Sequence, residues 1–189
     1  MKLSISTIVL VLFIGSLASC QQKSVPTTES VAAEEMPAKE EMTVAKEEMK
    51  KMRDDVIEKS SEEWKAELND LEYRVLRKAD TERAFTGDLW DNKEDGVYVC
   101  RGCELPLFDS KTKYKSGTGW PSFYEPIDDE AVGEDTDHHL GYARTEVHCA
   151  RCGGHMGHVF NDGPKPTGQR YCINSVSLDF VQRDKATTP

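Results

Sequence analysis

The sequence lacks a dense run of lysine and arginine, and this absence bears on its partners. Its 189 residues carry 24 Lys and Arg against 34 Asp and Glu, a formal net charge of -10. Surfaces that bind nucleic acid track phosphates with clustered cations, so no nucleic-acid partner is expected. Long apolar runs are also scarce, because the run near the N-terminus covers only residues 8–14. It is too short to serve as an ordinary membrane-spanning helix.

Residues 1–19 have the features of an export signal. Lys2 gives a positive start, residues 8–14 give an apolar core, and the small residues Ala-Ser stand directly before Cys20. This arrangement resembles the lipobox of bacterial lipoproteins, in which the signal is cut before a cysteine that then carries lipid. The resemblance implies an extracytoplasmic protein, anchored to a membrane of the bacterial envelope through lipid on Cys20. The alternative is a plain secretory signal or an uncleaved anchor, with Cys20 incidental.

Residues 20–60 lack aromatic side chains, which predicts a linker rather than a packed domain. The segment is acidic, and Ala-Lys-Glu-Glu-Met occurs at 38–42 and again at 45–49. This seven-residue spacing of good helix formers predicts a solvated or weakly associating helix over 38–59. The linker is interpreted as a spacer. Alternatively, its thioethers act as a local substrate or oxidant sink through Met36, Met42, Met49 and Met52.

A single domain is predicted over residues 61–184, followed by a disordered tail at 185–189. A serine followed by acidic residues near position 61 is typical of a helix start, and helices are predicted over about 61–68 and 70–78. Later runs look β-like and are separated by Gly and Pro; they are residues 97–99, 122–124, 143–148, 159–160 and 169–180. The pattern predicts a mainly β (α+β) domain with an N-terminal helical cap.

Four of the six cysteines form two Cys-x-x-Cys pairs, Cys100 with Cys103 and Cys149 with Cys152. Each pair brings two sulfurs within reach of one ion, and two pairs make the tetrahedral sulfur site that zinc prefers. Four thiolates leave no open coordination position, so the predicted zinc is structural. Two disulfides or a redox-active pair are the alternatives in an exported protein. Against redox work, neither pair has a thioredoxin-like strand-to-helix setting.

Cys172 is the one cysteine without a lipid or a metal assignment. It lies in a strand-like run, so Tyr171 and Ile173 are expected to face one layer and Cys172 the other. A single cysteine is more often an inert core residue. However, His155 and His158 precede it, and imidazoles transfer protons near neutral pH and lower thiol pKa values. The alternative for the two histidines is a second metal site, although no glutamate stands in the zincin position.

Three segments together resemble the methionine-(R)-sulfoxide reductase family, MsrB. They are Gly-Trp-Pro-Ser-Phe at 119–123, His-Met-Gly-His-Val-Phe at 155–160 and Arg-Tyr-Cys-Ile-Asn-Ser at 170–175. Residues 81–87 and 144–147 also match the family pattern, and the Cys-x-x-Cys pairs fall where zinc-containing members carry theirs. The resemblance covers about residues 61–184. It implies two antiparallel β-sheets with short N-terminal helices and a zinc site made of four cysteines.

The resemblance also implies an activity and the roles of individual residues. A cysteine thiolate attacks the sulfur of methionine sulfoxide in an oxidised protein while an acid protonates the sulfoxide oxygen. Cys172 corresponds to the nucleophile, and His155 and His158 to the pair that orients the substrate and supplies the proton. Asn174 corresponds to a polar residue that positions the site, and Trp120 to the indole that receives the substrate methyl group.

Thr118 departs from the family pattern. Many members have a resolving cysteine two residues before the tryptophan, where this chain has Thr118. The chain is therefore predicted to be a one-cysteine variant, whose sulfenic acid is reduced directly by a thioredoxin-like protein or a small thiol. Met156 stands where the family usually has leucine, a change of similar volume.

Two other functions are compatible with parts of the sequence. One is a non-enzymatic zinc-binding β-module, which would not need Cys172, His155, His158 and Trp120 together. The other is a thiol–disulfide oxidoreductase that uses a Cys-x-x-Cys pair, which predicts the absence of zinc.

Overall fold

The computed structural model describes residues 47–48, 50–51, 54–138 and 141–183. The export signal, Cys20, the four linker methionines and the tail at 185–189 lie outside these residues. The domain limits therefore stay predictions. In the helix predicted over 38–59, residues 47, 48, 50, 51 and 54 are helical, but residues 55–59 are not, so the helix ends earlier than predicted. Within the described part of the chain, no helix is long and apolar enough to cross a membrane.

Two short helices open the domain, α1 (Ser61–Glu67) and α2 (Asp70–Lys78). They match the helices predicted over 61–68 and 70–78. Each begins with a capping box, in which a polar cap side chain and a glutamate three positions later satisfy each other's backbone N–H groups. The two boxes are formed by Ser60 with Glu63 and by Asn69 with Glu72.

The strands that follow form two antiparallel sheets, as the family resemblance implied. They are β1 (Gly96–Cys100), β2 (Pro106–Asp109), β3 (Ser122–Phe123), β4 (Val132–Asp137), β5 (Arg144–Cys149), β6 (His155–Phe160), β7 (Arg170–Ile173) and β8 (Leu178–Gln182). The smaller sheet has the order β2-β1-β8 and the larger sheet the order β3-β7-β6-β5-β4. Short 3-10 helices cover Ser110–Thr112 and Ser175–Ser177. The prediction of a mainly β domain is confirmed.

The run at 169–180 is not one continuous β segment, so that part of the prediction is wrong. β7 belongs to the larger sheet and β8 to the smaller one, and the 3-10 helix Ser175–Ser177 joins them. Ser177 is fully buried at this crossing, and its hydroxyl donates to the His155 carbonyl at 3.0 Å. The sequence also did not predict β2 or β4. β4 is largely acidic and lacks the alternating apolar residues by which a half-buried strand is recognised.

An aromatic cluster holds the two sheets together. Phe108 of β2 stacks on Phe123 of β3 with ring centroids 4.4 Å apart, and Tyr98 of β1 packs edge-on against Phe123 at 5.0 Å. Tyr171 and Ile173 of β7 are buried in the same core. The predicted alternation along β7 is therefore confirmed, and Cys172 lies on the opposite face of the larger sheet.

Candidate active site and metal centre

The register of the larger sheet places four polar side chains in one row on the face that carries Cys172. Ser122 of β3 pairs with Cys172 of β7, and Cys172 pairs with His158 of β6. His158 in turn pairs with Glu146 of β5. Directly opposed residues of antiparallel strands point to the same face. A hydroxyl, a thiol, an imidazole and a carboxylate are thus brought side by side from four strands.

A bulge in β6 brings His155 to the same face as His158. Residues three apart in a regular strand point to opposite faces. β6 carries one residue more than the facing part of β5, and Met156 is the extra residue. The extra residue changes the alternation, so the two imidazole rings lie 5.5 Å apart. Gly157 completes the bulge, because a Cβ there would lie 2.0 Å from the carbonyl oxygen of Cys172.

Each imidazole is held by a carboxylate. His155 Nδ1 lies 2.5 Å from Glu146 Oε1, and His158 Nε2 lies 2.8 Å from Asp137 Oδ2. The guanidinium of Arg144 donates to the same oxygen of Asp137 at 2.5 Å. Because an ionised carboxylate only accepts hydrogen bonds, Nε2 of His158 carries a hydrogen. Burial lowers the pKa of His158 below its ordinary value, against the opposing effect of Asp137, so the ring is mainly neutral at pH 7 with Nδ1 as an acceptor.

Cys172 lies in a small cleft of about 120 Å³. Two aromatic rings and several polar groups share its lining, which consists of Thr81, Trp120, Arg144, Gly157, His158, Phe160, Cys172 and Asn174. Such a mixture suits a ligand that has a small apolar group and an oxygen. Four of the five residues predicted for the active site meet here. The fifth, His155, is buried and is not part of the lining, and its Nε2 has no hydrogen-bond partner among the described residues.

The backbone of Glu82 orients both Trp120 and Asn174. Trp120 Nε1 donates to the Glu82 carbonyl at 3.2 Å. Asn174 Oδ1 accepts from the Glu82 N–H at 3.1 Å, and its Nδ2 donates to the Met156 carbonyl at 3.0 Å. Both ends of the Asn174 amide are therefore used within the protein. This contact pattern suits a residue that positions the site.

The surroundings of the Cys172 sulfur favour a resting thiol. Burial raises the pKa of the Cys172 thiol, while the Thr118 hydroxyl and the nearby Arg170 guanidinium act in the opposite direction. Thr118 Oγ1 lies 3.8 Å from Cys172 Sγ. Two hydrogen bonds of 2.8 and 2.9 Å to Asp162 hold Arg170 in place. The sulfur is thus protonated at rest, and polar groups that can stabilise its thiolate form surround it.

The four paired cysteines form a compact, buried cluster whose sulfurs all lie within 4.8 Å of one another. Sγ of Cys100 is 3.7 Å from that of Cys152, and Sγ of Cys103 is 3.5 Å from that of Cys149. Tetrahedral zinc at about 2.3 Å from each sulfur places the sulfurs about 3.8 Å apart, so the cluster fits an ion of that size. All four are free cysteines, so the two-disulfide alternative is not what the structure contains.

The cluster connects the two sheets. Cys100 ends β1 of the smaller sheet, and Cys149 ends β5 of the larger one. Arg77 of α2 donates to the Cys152 carbonyl at 2.8 Å, so the N-terminal helices are tied to the same place. A group that binds all four sulfurs would cross-link the sheets and would have no coordination position left for a substrate.

Three supporting residues were not identified from the sequence as part of the site. Arg144 and Glu146 belong to the segment 144–147 that matches the family pattern, and their two-residue spacing on a strand would have placed them on one face. Asp137 carries no comparable signal, because it is one of several acidic residues in β4.

The comparisons with known proteins agree with this geometry. The SelR domain family matches residues 68–182. A peptide methionine sulfoxide reductase MsrB of Leptospira interrogans serogroup Icterohaemorrhagiae serovar Lai (strain 56601) is 57% identical over 124 residues, covering 66% of this chain and 95% of that protein. The protein of the same name from Pseudomonas putida (strain W619) is 58% identical over 130 residues, covering 69% and 98%. That from Thiobacillus denitrificans (strain ATCC 25259 / T1) is 56% identical over 126 residues, covering 67% and 96%. The matched region contains both the cleft and the cysteine cluster, and the chain belongs to the MsrB family.

Proposed function

We propose that this chain is a peptide-methionine (R)-S-oxide reductase, which returns oxidised methionine in proteins to methionine with Cys172 as the nucleophile. One observation carries the proposal. The half-buried Cys172 thiol opens into a cleft that it shares with an indole and an imidazole, in a chain 57% identical to a peptide methionine sulfoxide reductase. A pure zinc-binding module would have no use for this cleft.

The cleft offers different surroundings for each group on the sulfoxide sulfur. The methyl group packs against the Trp120 indole, which is an apolar wall of definite shape. The oxygen points toward the polar side, where His158 and Arg144 line the cleft. The substrate sulfur then faces Cys172. A chiral sulfur bound by three unlike contacts is accepted in one hand only, and family membership supports the R form.

The proposed chemistry moves one oxygen and one proton. The neutral His158 ring accepts the Cys172 proton at Nδ1, and the thiolate attacks the sulfoxide sulfur. The proton passes to the sulfoxide oxygen, which ends on Cys172 as a sulfenic acid while methionine leaves. Thiol and sulfoxide become sulfenic acid and thioether. The Cys172 sulfur loses two electrons, and the substrate sulfur gains them.

A reductant from outside the chain closes the proposed cycle. Thr118 stands where many relatives have a resolving cysteine, and the other four cysteines among the described residues form the sulfur cluster. A thiol of a thioredoxin-like protein attacks the sulfenic acid, which releases water and leaves a mixed disulfide. The reductant's second thiol then breaks this disulfide and restores the Cys172 thiol. A small thiol can replace the protein reductant.

The sulfur cluster is proposed to bind a structural zinc ion through Cys100, Cys103, Cys149 and Cys152. Bound there, zinc supplies a cross-link and no reaction chemistry, because four thiolates fill its tetrahedral shell. The fit of the four sulfurs to a zinc-sized ion supports this assignment.

A further proposal concerns location and rests on the sequence before residue 21. Lipid on Cys20 would hold the enzyme to a membrane of the bacterial envelope, outside the cytoplasm. The mass of the mature N-terminal peptide from a bacterial host measures this directly. A mature chain that retains the signal, or that begins elsewhere without lipid, contradicts the proposal.

The central test compares turnover of the separate R and S diastereomers of a methionine sulfoxide peptide, with dithiothreitol as reductant. The wild-type chain is expected to reduce the R form and to leave the S form unchanged. Cys172→Ser should lose activity by at least about a thousandfold, because a serine hydroxyl is a much weaker nucleophile than a cysteine thiolate. Unchanged activity in this variant would remove Cys172 from its role. Equal reduction of both diastereomers would contradict the stereochemical assignment.

A further inference from the structure

A chain of hydroxyl groups leads from the Cys172 sulfur into the protein. Thr118 Oγ1 lies 3.8 Å from Cys172 Sγ, and Ser116 Oγ lies 2.9 Å from Thr118 Oγ1. Ser122 Oγ follows at 2.7 Å from Ser116 Oγ. The chain ends at the Trp120 carbonyl, to which Ser122 Oγ donates at 3.2 Å. Four hydrogen bonds in series therefore connect the reactive sulfur to the backbone of the residue that carries the cleft indole.

The end of this chain fixes the direction of every bond in it. A carbonyl oxygen only accepts, and each hydroxyl has a single hydrogen to donate. Ser122 gives its hydrogen to Trp120, so Ser116 must donate to Ser122. Thr118 must then donate to Ser116, which leaves Thr118 Oγ1 as the acceptor for the Cys172 thiol. In the resting enzyme the chain thus runs from the S–H group toward the backbone.

We propose that this hydroxyl chain is a relay that reverses direction when Cys172 loses its proton. A thiolate has no hydrogen to donate and needs donors instead. Rotation of the Thr118 hydroxyl gives one, Ser116 then donates to Thr118, and Ser122 donates to Ser116 in place of the Trp120 carbonyl. No heavy atom has to move. Ser116 and Ser122 are therefore positioning residues that act on the Cys172 sulfur through Thr118. The relay rests on the proposed function only in taking Cys172 as the nucleophile.

The location of the chain makes such a relay effective. Ser122 is 1% exposed and lies opposite Cys172 in the sheet register, so the chain runs through buried protein beside the sulfur. A hydrogen bond to a charge is stronger where water is excluded. In a protein whose Thr118 replaces a resolving cysteine, the same donors remain available to the oxidised sulfur until an external thiol arrives.

Other charged groups near the sulfur also affect the pKa of the Cys172 thiol. Arg170 on the same strand favours the thiolate, and its partner Asp162 partly offsets its charge. Three further titratable or charged side chains lie around Cys172: Tyr114 before β3, His158 on β6 and Arg144 on β5. None of these belongs to the hydroxyl chain, so their effects stay constant when the hydroxyls are removed singly.

The test measures the alkylation of Cys172 by iodoacetamide as a function of pH in the full-length protein, followed on the Cys172 peptide by mass spectrometry. Thr118→Val keeps the side-chain shape and removes the hydroxyl. It should raise the midpoint of the alkylation profile by about one pH unit, or slow alkylation about tenfold below the midpoint. Thr118→Ser restores the hydroxyl and should return the midpoint to that of the wild type.

Ser116→Ala is the decisive variant, because Ser116 makes its contacts with Thr118 and Ser122 rather than with the sulfur. The relay requires a shift of the same sign, about half as large. A wild-type midpoint in Ser116→Ala overturns the relay, and so does an unchanged midpoint in Thr118→Val. If Thr118→Val fails to fold, Ser116→Ala and Thr118→Ser decide the matter.

Alkylation needs no substrate, so this test is separate from that of the proposed function. The pH profile of sulfoxide reduction should move with the alkylation midpoint. An alkylation shift without any change in the reduction profile would leave the relay standing and remove Cys172 as the nucleophile. Normal turnover by Cys172 with no alkylation shift in any variant would overturn the relay and leave Cys172 as the nucleophile.

Discussion

At the scale of single residues, accessibility separates Cys172 from the other described cysteines. The four cluster cysteines are buried, whereas Cys172 is half-buried and lines the cleft. Its sulfur has neighbours from separate parts of the chain. His158 on β6 is held by Asp137 of β4, and Thr118, from the loop before β3, lies with its hydroxyl 3.8 Å from the sulfur. One thiol thus opens into a cleft, while the other four form a buried cluster that could hold a metal ion.

Trp120 is expected to contribute to substrate binding in a way that a second indole does not. Trp120→Leu removes the aromatic wall and the hydrogen bond to Glu82, so kcat/KM for an R-sulfoxide peptide should fall roughly tenfold or more. Trp90→Leu is the matched control, because Trp90 is also half-buried but does not line the cleft. Steady-state kinetics on both variants make the comparison. Equal losses in the two would mean that the Trp120 effect is structural.

At the scale of secondary-structure elements, the bulge of β6 is what assembles the site. The extra residue Met156 turns His155 toward the face of His158, and each imidazole then meets a carboxylate from another strand of the same sheet. A regular β6 would point the two rings to opposite sides of the sheet.

Gly157→Ala should destabilise the domain strongly, because the added Cβ would lie 2.0 Å from the Cys172 carbonyl oxygen. We expect a loss of about 3 kcal/mol in the free energy of unfolding. Gly168→Ala is the control: Gly168 has φ +76, but no atom lies within 4 Å of its added Cβ, so only the backbone cost of about 1 kcal/mol remains. Denaturant titration measures both. Losses of similar size would show that the contact between β6 and β7 is not tight.

At the scale of the whole molecule, the sulfur cluster and the aromatic cluster each join the two sheets. Phe108 and Phe123 join them through apolar packing. Cys100 and Cys149 bring one strand end of each sheet to a common point. Four buried thiols stabilise the fold little by their contacts with one another, so a cation bound between them would supply most of the stabilisation at that end of the sheets.

Removal of the proposed zinc ion is expected to unfold the domain or to lower its melting temperature greatly. Structural zinc sites bind with roughly 10–16 kcal/mol, which is comparable to the whole stability of a small domain, about 5–15 kcal/mol. Thermal unfolding followed by circular dichroism, with and without a strong chelator, measures the effect alongside metal analysis. Cys100→Ser should resemble the chelated protein. Cys172→Ser leaves the cluster intact and should have the melting temperature of the wild type. If the chelator left the melting temperature of the wild type unchanged, a structural metal would be contradicted.

The sequence alone determined the features that depend on neighbours in the chain. The starts of α1 and α2 follow from capping residues such as Ser60 and Asn69. The two Cys-x-x-Cys pairs predicted a four-sulfur site because each pair is a local unit, and Cys172 stood out as the cysteine left over. The alternation of Tyr171, Cys172 and Ile173 also follows from the two-residue period of a strand.

Tertiary structure alone decided which distant residues complete the site. Strand register selected Asp137 as the partner of His158, one bulge changed which way His155 points, and a crossing between sheets divided residues 169–180 into β7 and β8. The link from Ser116 to Cys172 likewise depends on β3 pairing with β7. Register and strand alternation arise from contacts between segments far apart in sequence, and a shift of one residue exchanges the two faces of a strand. Local pattern therefore supplied the reactive groups, and packing supplied their neighbours.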